Sequence, residues 1–199
     1  MAYGLGSARA NKWAMAFYAA LAVGWSGWKM WKYHSSDYVL APLEPRRGTP
    51  PAELFGGQLQ PGNSIELSVP KADLSRLLGL IDVLRYSSIV VGMVIILVGL
   101  LFVYRFCDRV IVGNPFTNAA RTDVVMISVC IAVYPAITGF LNLLGTNSVV
   151  GALDLSEIVD TSRSANGLYA AVVIAVFLQF VYATITQGTK LARDSEGLV

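Results

Sequence analysis

Four long apolar stretches constrain this chain more than any other feature of its sequence. The clearest of them runs from Ser87 to Tyr104 without a charged residue, and Arg85 and Arg105 border it. A helix of roughly 20 residues crosses about 30 Å of hydrocarbon, where only helices and closed barrels satisfy their backbone hydrogen bonds. We therefore predict transmembrane helices at residues 13–31, 87–106, 124–144 and 168–186.

The composition agrees with a chain that lies largely in lipid. Charged residues make up 14% of its 199 residues, whereas soluble domains carry about 25%. The length indicates a single membrane domain, residues 1–199. The predicted fold class is an all-α membrane protein with four transmembrane helices, a partly ordered loop at residues 32–86 and a short connection at residues 107–123.

The first apolar stretch allows two interpretations. Arg9 and Lys12 precede it, as basic residues precede the apolar part of a signal peptide. However, no pair of small residues suited to cleavage follows, and the stretch ends in aromatic residues. Trp25, Trp28 and Trp31 are spaced by three, so they lie near one helix face at one membrane interface. We interpret the stretch as a retained span whose tryptophans contact lipid or a partner.

The basic residues predict the orientation of the spans. They occur in both termini and in the middle connection, as Arg9, Lys12, Arg105, Arg109, Arg121, Lys190 and Arg193. The segment between the third and fourth stretches has only Arg163, beside three acidic residues. Short basic segments stay in the cytoplasm, so we predict that both termini and residues 107–123 are cytoplasmic. The loop 32–86 is then extracytoplasmic.

The extracytoplasmic loop contains three patterns. Residues 41–63 are rich in proline and glycine and are predicted to be irregular. Residues 64–69 alternate between apolar and polar side chains, which predicts a strand. Residues 72–84 carry an apolar stripe at helical spacing, which predicts an interfacial helix that bends into the second span. The stripe either covers its own bundle and lipid or docks a partner.

The cytoplasmic connection has the most distinctive sequence. Gly113-Asn114-Pro115 breaks the preceding helix, and Thr117 or Asn118 can cap the next one. Basic residues at this membrane border suit contact with phosphate groups. We predict contacts with a partner or with lipid at Arg105, Arg109, Phe116 and Arg121.

Polar residues within the spans are few. Thr138 and Asn142 lie one turn apart in the third span, and Gln179 is a possible partner from the fourth. These three residues form a predicted intramembrane polar cluster. It serves either interhelical hydrogen bonding or a polar pocket for a ligand.

Several functions are excluded by what the sequence lacks. No ionisable residue occupies the middle of a span, which argues against a proton relay or an ion-coupled transporter. No nucleophile elbow, phosphate-binding loop, zinc spacing or haem motif occurs, so we predict no enzyme activity, cofactor or metal. No basic run suggests nucleic-acid binding. Cys107 and Cys130 are interpreted as structural thiols.

Two segments resemble a known family. The run from Gly113 to Arg121, Gly-Asn-Pro-Phe-Thr-Asn-Ala-Ala-Arg, and the ending from Gly188 to Val199 are similar to segments of bacterial four-span proteins grouped as "domain of unknown function 2975". Ala120 stands where that family is expected to have leucine. The resemblance implies a multi-pass protein of the bacterial inner membrane without assigned catalysis. Some members are encoded beside small helix-turn-helix regulators.

Three functional hypotheses follow from these observations. The first is a non-catalytic accessory subunit that binds other membrane protein subunits of a larger complex. The second is a membrane sensor or regulator that acts on a cytoplasmic partner such as a helix-turn-helix protein. The third is a small-molecule or lipid binder that uses the predicted polar cluster.

Overall fold

The computed structural model describes residues 3–45, 65–113, 116–157, 159–161 and 166–196. Most of them form four long helices, and each predicted span lies within one helix. The helices are α1 (Tyr3–Ser35), α2 (Leu78–Ile111), α3 (Asn118–Ala152) and α4 (Asn166–Glu196). Three strands and a short 3-10 helix complete the described fold, as β1 (Tyr38–Pro45), β2 (Ile65–Pro70), β3 (Val159–Thr161) and the 3-10 helix Lys71–Leu74.

Three of the described helices are long and apolar enough to cross a membrane. They are α2, α3 and the part of α4 from Leu168 to Gly188. The helix α1 has 33 residues, which is sufficient length, but it does not reach the same hydropathy. Its tryptophans, tyrosines and glycines are less apolar than the leucine, isoleucine and valine of the other three.

The chain forms two compact units. The helical unit contains Met1–Ser26, Gly92–Ala136 and Asn166–Val199. The sheet unit contains Gly27–Val91 and Ile137–Ala165, and it includes all three strands. An all-α fold class is therefore only partly right, because the mostly helical chain also builds a small sheet.

The sheet is antiparallel, with β1 between β2 and β3. Its side chains alternate, since Val39, Ala41 and Leu43 are buried while Leu40 is 48% exposed. Residues 41–45 were predicted to be irregular because of their prolines, and that prediction is wrong. Pro42 fits because β3 pairs only with residues 43–45, so β1 has a single neighbour at Pro42. The rest of the predicted irregular segment, residues 46–63, lies outside the described residues.

The predicted strand at residues 64–69 is confirmed as β2 from Ile65 to Pro70. Its alternation is also confirmed, because Val69 is buried and Leu67 is partly buried against the core, while Glu66 and Ser68 are exposed. The apolar side of β2 therefore contributes to the core of the sheet unit.

The predicted helix at residues 72–84 is only partly right. The chain forms the 3-10 helix, turns, and starts α2 at Leu78, so no separate interfacial helix precedes the second span. The apolar stripe covers the chain's own core, with Leu74 and Ile81 fully buried. Since Val149 and Val150 complete this core, α3 continues beyond the predicted end at residue 144 to Ala152.

We predict that Leu43→Ala destabilises the sheet unit by about 2–5 kcal/mol, because it leaves a cavity under the central strand. Leu43 is 1% exposed, whereas Leu40 on the opposite face of the same strand is 48% exposed. Leu40→Ala is the matched control and is expected to change stability by less than about 0.5 kcal/mol. Denaturant unfolding in detergent measures both variants. Equal effects would contradict the assigned faces of β1.

Candidate functional site

A buried carboxylate joins the ends of α2 and α3 in the helical unit. The Asp123 side chain is fully buried, and its Oδ2 accepts a hydrogen bond from Arg109 Nε at 2.8 Å. Arg105 Nε lies 3.4 Å from the other oxygen, Oδ1, as an ion pair. Among the described residues, Oδ1 accepts no hydrogen bond. Two guanidinium groups therefore share one carboxylate, and this Asp123 cluster keeps an excess of one positive charge.

Local sequence explains how the two helices bring these groups together. Gly113 adopts a φ of 84°, a backbone conformation that terminates α2 and that glycine reaches at little steric cost. The Thr117 hydroxyl accepts a hydrogen bond from the backbone N–H of Ala120 at 3.2 Å, which confirms the predicted cap of α3. Asp123 then lies in the second turn of α3, opposite the last turns of α2.

The predicted contact residues of the connection contact α3 or α4 of the same chain. Arg105 and Arg109, predicted to contact lipid phosphate or a partner, both contact the Asp123 carboxylate of their own chain. Arg121 stacks its guanidinium 5.1 Å from the ring centre of Tyr182 on α4. The Phe116 ring lies so close to Gly188 of α4 that a Cβ there would come within 2.5 Å of it.

Sequence reasoning missed Asp123. A signal was present, because Asp123 is an acidic residue at the entrance of an apolar stretch and two arginines border the preceding stretch. Charged residues within lipid form pairs with one another whenever the fold allows it. That pairing identifies the carboxylate only once α2 and α3 are known to be neighbours.

The tryptophans of α1 have outward-facing side chains. Trp25, Trp28 and Trp31 are 59%, 45% and 65% exposed. Lys32 Nζ lies 5.4 Å from the ring centre of Trp28. The exposed tryptophan rings provide aromatic surface for the contacts with lipid or a partner that the spacing of the tryptophans predicts.

The predicted intramembrane polar residues do not form one described cluster. Asn142 Oδ1 accepts a hydrogen bond from Arg85 Nη1 at 3.1 Å, and Thr138 accepts one through its backbone oxygen from Ser88 at 3.3 Å. Both residues belong to the sheet unit. Gln179 belongs to α4 in the helical unit, and its side chain is exposed.

Arg85 is the second polar residue that sequence reasoning missed. Its Nη2 donates to the backbone oxygen of Leu40 at 3.0 Å and to Thr146 Oγ1 at 3.2 Å. Together with the bond to Asn142, these contacts connect α2 to α3 and to β1. Among the described side chains, no carboxylate forms an ion pair with Arg85, so neutral oxygens solvate its charge. Arg85 therefore has a structural role in the sheet unit.

The shortest described hydrogen bond of the sheet unit joins a phenol to a carboxylate. Tyr33 Oη donates to Asp82 Oδ1 at 2.6 Å, and Lys71 Nζ donates to the Tyr33 backbone oxygen at 2.8 Å. Burial, and then the hydrogen bond to Asp82, raises the pKa of Tyr33 above its usual range. The phenol stays protonated and continues to donate, which holds the end of α1 against the start of α2.

The helical unit also contains an apolar cavity of about 450 Å³ between α2, α3 and α4. All three helices contribute side chains to its wall. The lining residues are Ile95, Ile96, Gly99, Leu100, Val103, Ile127, Cys130, Ile131, Tyr134, Pro135, Ala170, Ala171 and Ile174. The cavity differs from the predicted polar pocket, since none of Thr138, Asn142 and Gln179 lines it.

Comparison with known proteins adds no further constraint. No protein-family model, curated protein or solved structure matches this chain. The resemblance in the Gly113–Arg121 segment and at the C-terminus therefore stays a prediction.

We predict that Asp123→Asn lowers the free energy of unfolding by about 1–3 kcal/mol, because two arginines lose their only described carboxylate. The loss stays below the full cost of an unpaired buried charge, since the Arg105 and Arg109 side chains are 46% and 29% exposed. Asp108→Asn is the matched control, because Asp108 is an acid beside the cluster and no ion pair of its own is described. Thermal unfolding in detergent compares them, and an equal effect of both variants would contradict the role of Asp123.

Proposed function

We propose that this chain is a non-catalytic interaction subunit that packs against another protein within a membrane. The observation that carries this proposal is the apolar surface with aromatic rings that α4 leaves uncovered. Of its most apolar stretch 11% is buried within the chain, as in α2 and α3, and α4 differs from these two helices in exposing several aromatic rings. The exposed large side chains of this part that do not line the cavity are Leu168, Tyr169, Val172, Val173, Val176, Phe177 and Phe180.

The distribution of these side chains favours a protein partner. With 3.6 residues per turn, they cover at least half of the circumference of α4. Tyr169, Phe177 and Phe180 are 69%, 65% and 67% exposed. Aromatic residues are enriched at protein interfaces, where they supply a large contact area at a small cost in side-chain entropy. The Phe177 and Phe180 rings, one turn apart, are the proposed anchors.

Purification from native membranes in a mild detergent, followed by quantitative mass spectrometry, tests this proposal. We expect one other membrane protein at a molar amount similar to that of the chain. The double variant Phe177→Ala/Phe180→Ala is expected to reduce that amount at least tenfold, because it truncates both anchors. Phe140→Ala on α3, where the side chain is 53% exposed, is the control. Recovery of the chain alone, or only with copies of itself, would contradict the proposal.

We further propose four membrane crossings with both termini in the cytoplasm of a bacterial inner membrane. The pairing of β1 with β3 supports two crossings in opposite directions by α2 and α3, because β1 precedes α2 and β3 follows α3. A chain that crosses through α2 and returns through α3 brings these two strands to the same side. The basic residues of the middle connection and the four-span layout implied by the family resemblance also support it.

Labelling of single cysteines with an impermeant maleimide on intact cells tests the orientation. In a background of Cys107→Ser and Cys130→Ser, Ser36→Cys is expected to be labelled, whereas Val112→Cys is expected to be protected. Val112 is exposed, and Ser36 is partly exposed. Ala10→Cys, at an exposed position near the start of α1, reports on the first crossing. Its protection agrees with four crossings, and labelling equal to that of Ser36→Cys would show that α1 does not cross.

A further inference from the structure

The cavity of the helical unit is suited to a hydrocarbon. Apart from the Cys130 thiol and the Tyr134 phenol, every side chain in its wall is aliphatic or absent. A polar ligand would lose its hydrogen bonds to water there without replacement. Its volume of about 450 Å³ lies within the range of roughly 300–1,000 Å³ that is common for ligand sites.

The length of the cavity wall is compatible with part of an acyl chain. Its wall extends from Ile95 to Val103 on α2 and from Ile127 to Pro135 on α3. Each stretch advances eight residues, which corresponds to about 12 Å along the helix at a rise of 1.5 Å per residue. All three lining helices are apolar enough to lie in a bilayer, where acyl chains are the surrounding solvent.

One end of the cavity lies next to the Asp123 cluster, in which two arginines share one carboxylate and beside which Asp108 lies on α2. Ile127 is one helical turn from Asp123 on the same face of α3, and Asp123 pairs with Arg105. Arg105 is the more exposed of the two arginines. Its contact with Asp123 is the longer one and involves only Nε, so its other N–H groups can donate hydrogen bonds to a ligand. A guanidinium group binds phosphate oxygens in a planar, two-pronged geometry, and basic sites between membrane helices bind lipid head groups in this way.

We propose that the cavity and Arg105 together bind one phospholipid, with an acyl chain in the cavity and its phosphate at Arg105. The surrounding lipid is as apolar as the cavity wall, so an acyl chain gains little by moving from one to the other. The phosphate contact therefore decides which lipid stays bound, and the cavity fixes its position. The site lies within one chain and does not depend on the proposed protein partner.

Native mass spectrometry of the purified full chain in a mild detergent tests the site with two probes. The probes are phosphatidylglycerol and a diacylglycerol with the same acyl chains, which differ in the phosphate group. We expect one phosphatidylglycerol per chain, bound at least tenfold more tightly than the diacylglycerol. Arg105→Gln is expected to remove this preference. Equal binding of the two probes to the unmodified chain would overturn the proposal.

Variants of the cavity wall test the position of the acyl chain. Ala171→Phe fills the cavity from α4 and is expected to weaken phosphatidylglycerol binding at least tenfold. Val173→Phe on the same helix is the matched control, because Val173 is 68% exposed and does not line the cavity. Ala171 is buried, so Ala170→Phe at an exposed lining position is a second variant in case the first does not fold.

Each result of this series has a definite meaning. Loss of binding in both lining variants, with Val173→Phe unchanged, supports the proposed position. Unchanged binding in a folded lining variant would overturn it, as would a stoichiometric isoprenoid or quinone in the purified protein in place of a phospholipid.

Discussion

The hydrogen bonding of the backbone in apolar surroundings is the constraint on which this structure depends. An unpaired N–H or C=O group in hydrocarbon costs several kcal/mol, and a helix pairs these groups within one segment. The helices α2, α3 and α4 accordingly continue through all of their apolar residues, including Pro135 inside α3. The strands β1, β2 and β3 come from segments between the apolar stretches, where the backbone can pair with a distant segment.

Two arginine sites show how this chain accommodates charge at the borders of its apolar segments. Arg85 is held by an amide oxygen, a hydroxyl and a backbone oxygen, which connect three elements of the sheet unit. Arg105 and Arg109 instead share the Asp123 carboxylate. Neutral acceptors position a guanidinium group without cancelling its charge, whereas a shared carboxylate cancels only one of two charges. Both arrangements therefore leave one uncancelled positive charge. In the second arrangement this charge lies near the apolar cavity, and it is there that we propose the phosphate of a bound lipid.

We propose two different roles for the apolar surface of the helical unit. The cavity between α2, α3 and α4 is open on one side and lined by three helices, so it can hold part of a single chain-like ligand. The outer side of α4 is convex, and aromatic rings such as Phe177 and Phe180 project from it. A convex aromatic surface suits a second protein, because shape complementarity with another helix excludes lipid from it. The two proposals concern different surfaces and can hold independently.

The sequence by itself determined the features that depend on neighbouring residues. Hydropathy located the helices, alternation located β2, and the turn residues before α3 predicted the Thr117 cap. Only the tertiary structure decided which distant segments meet. The proline-containing β1 becomes a strand because β2 and β3 pair with it, and Arg85 and Asp123 find partners on another helix. Such contacts depend on which segments are neighbours in space, and a local pattern carries no record of that.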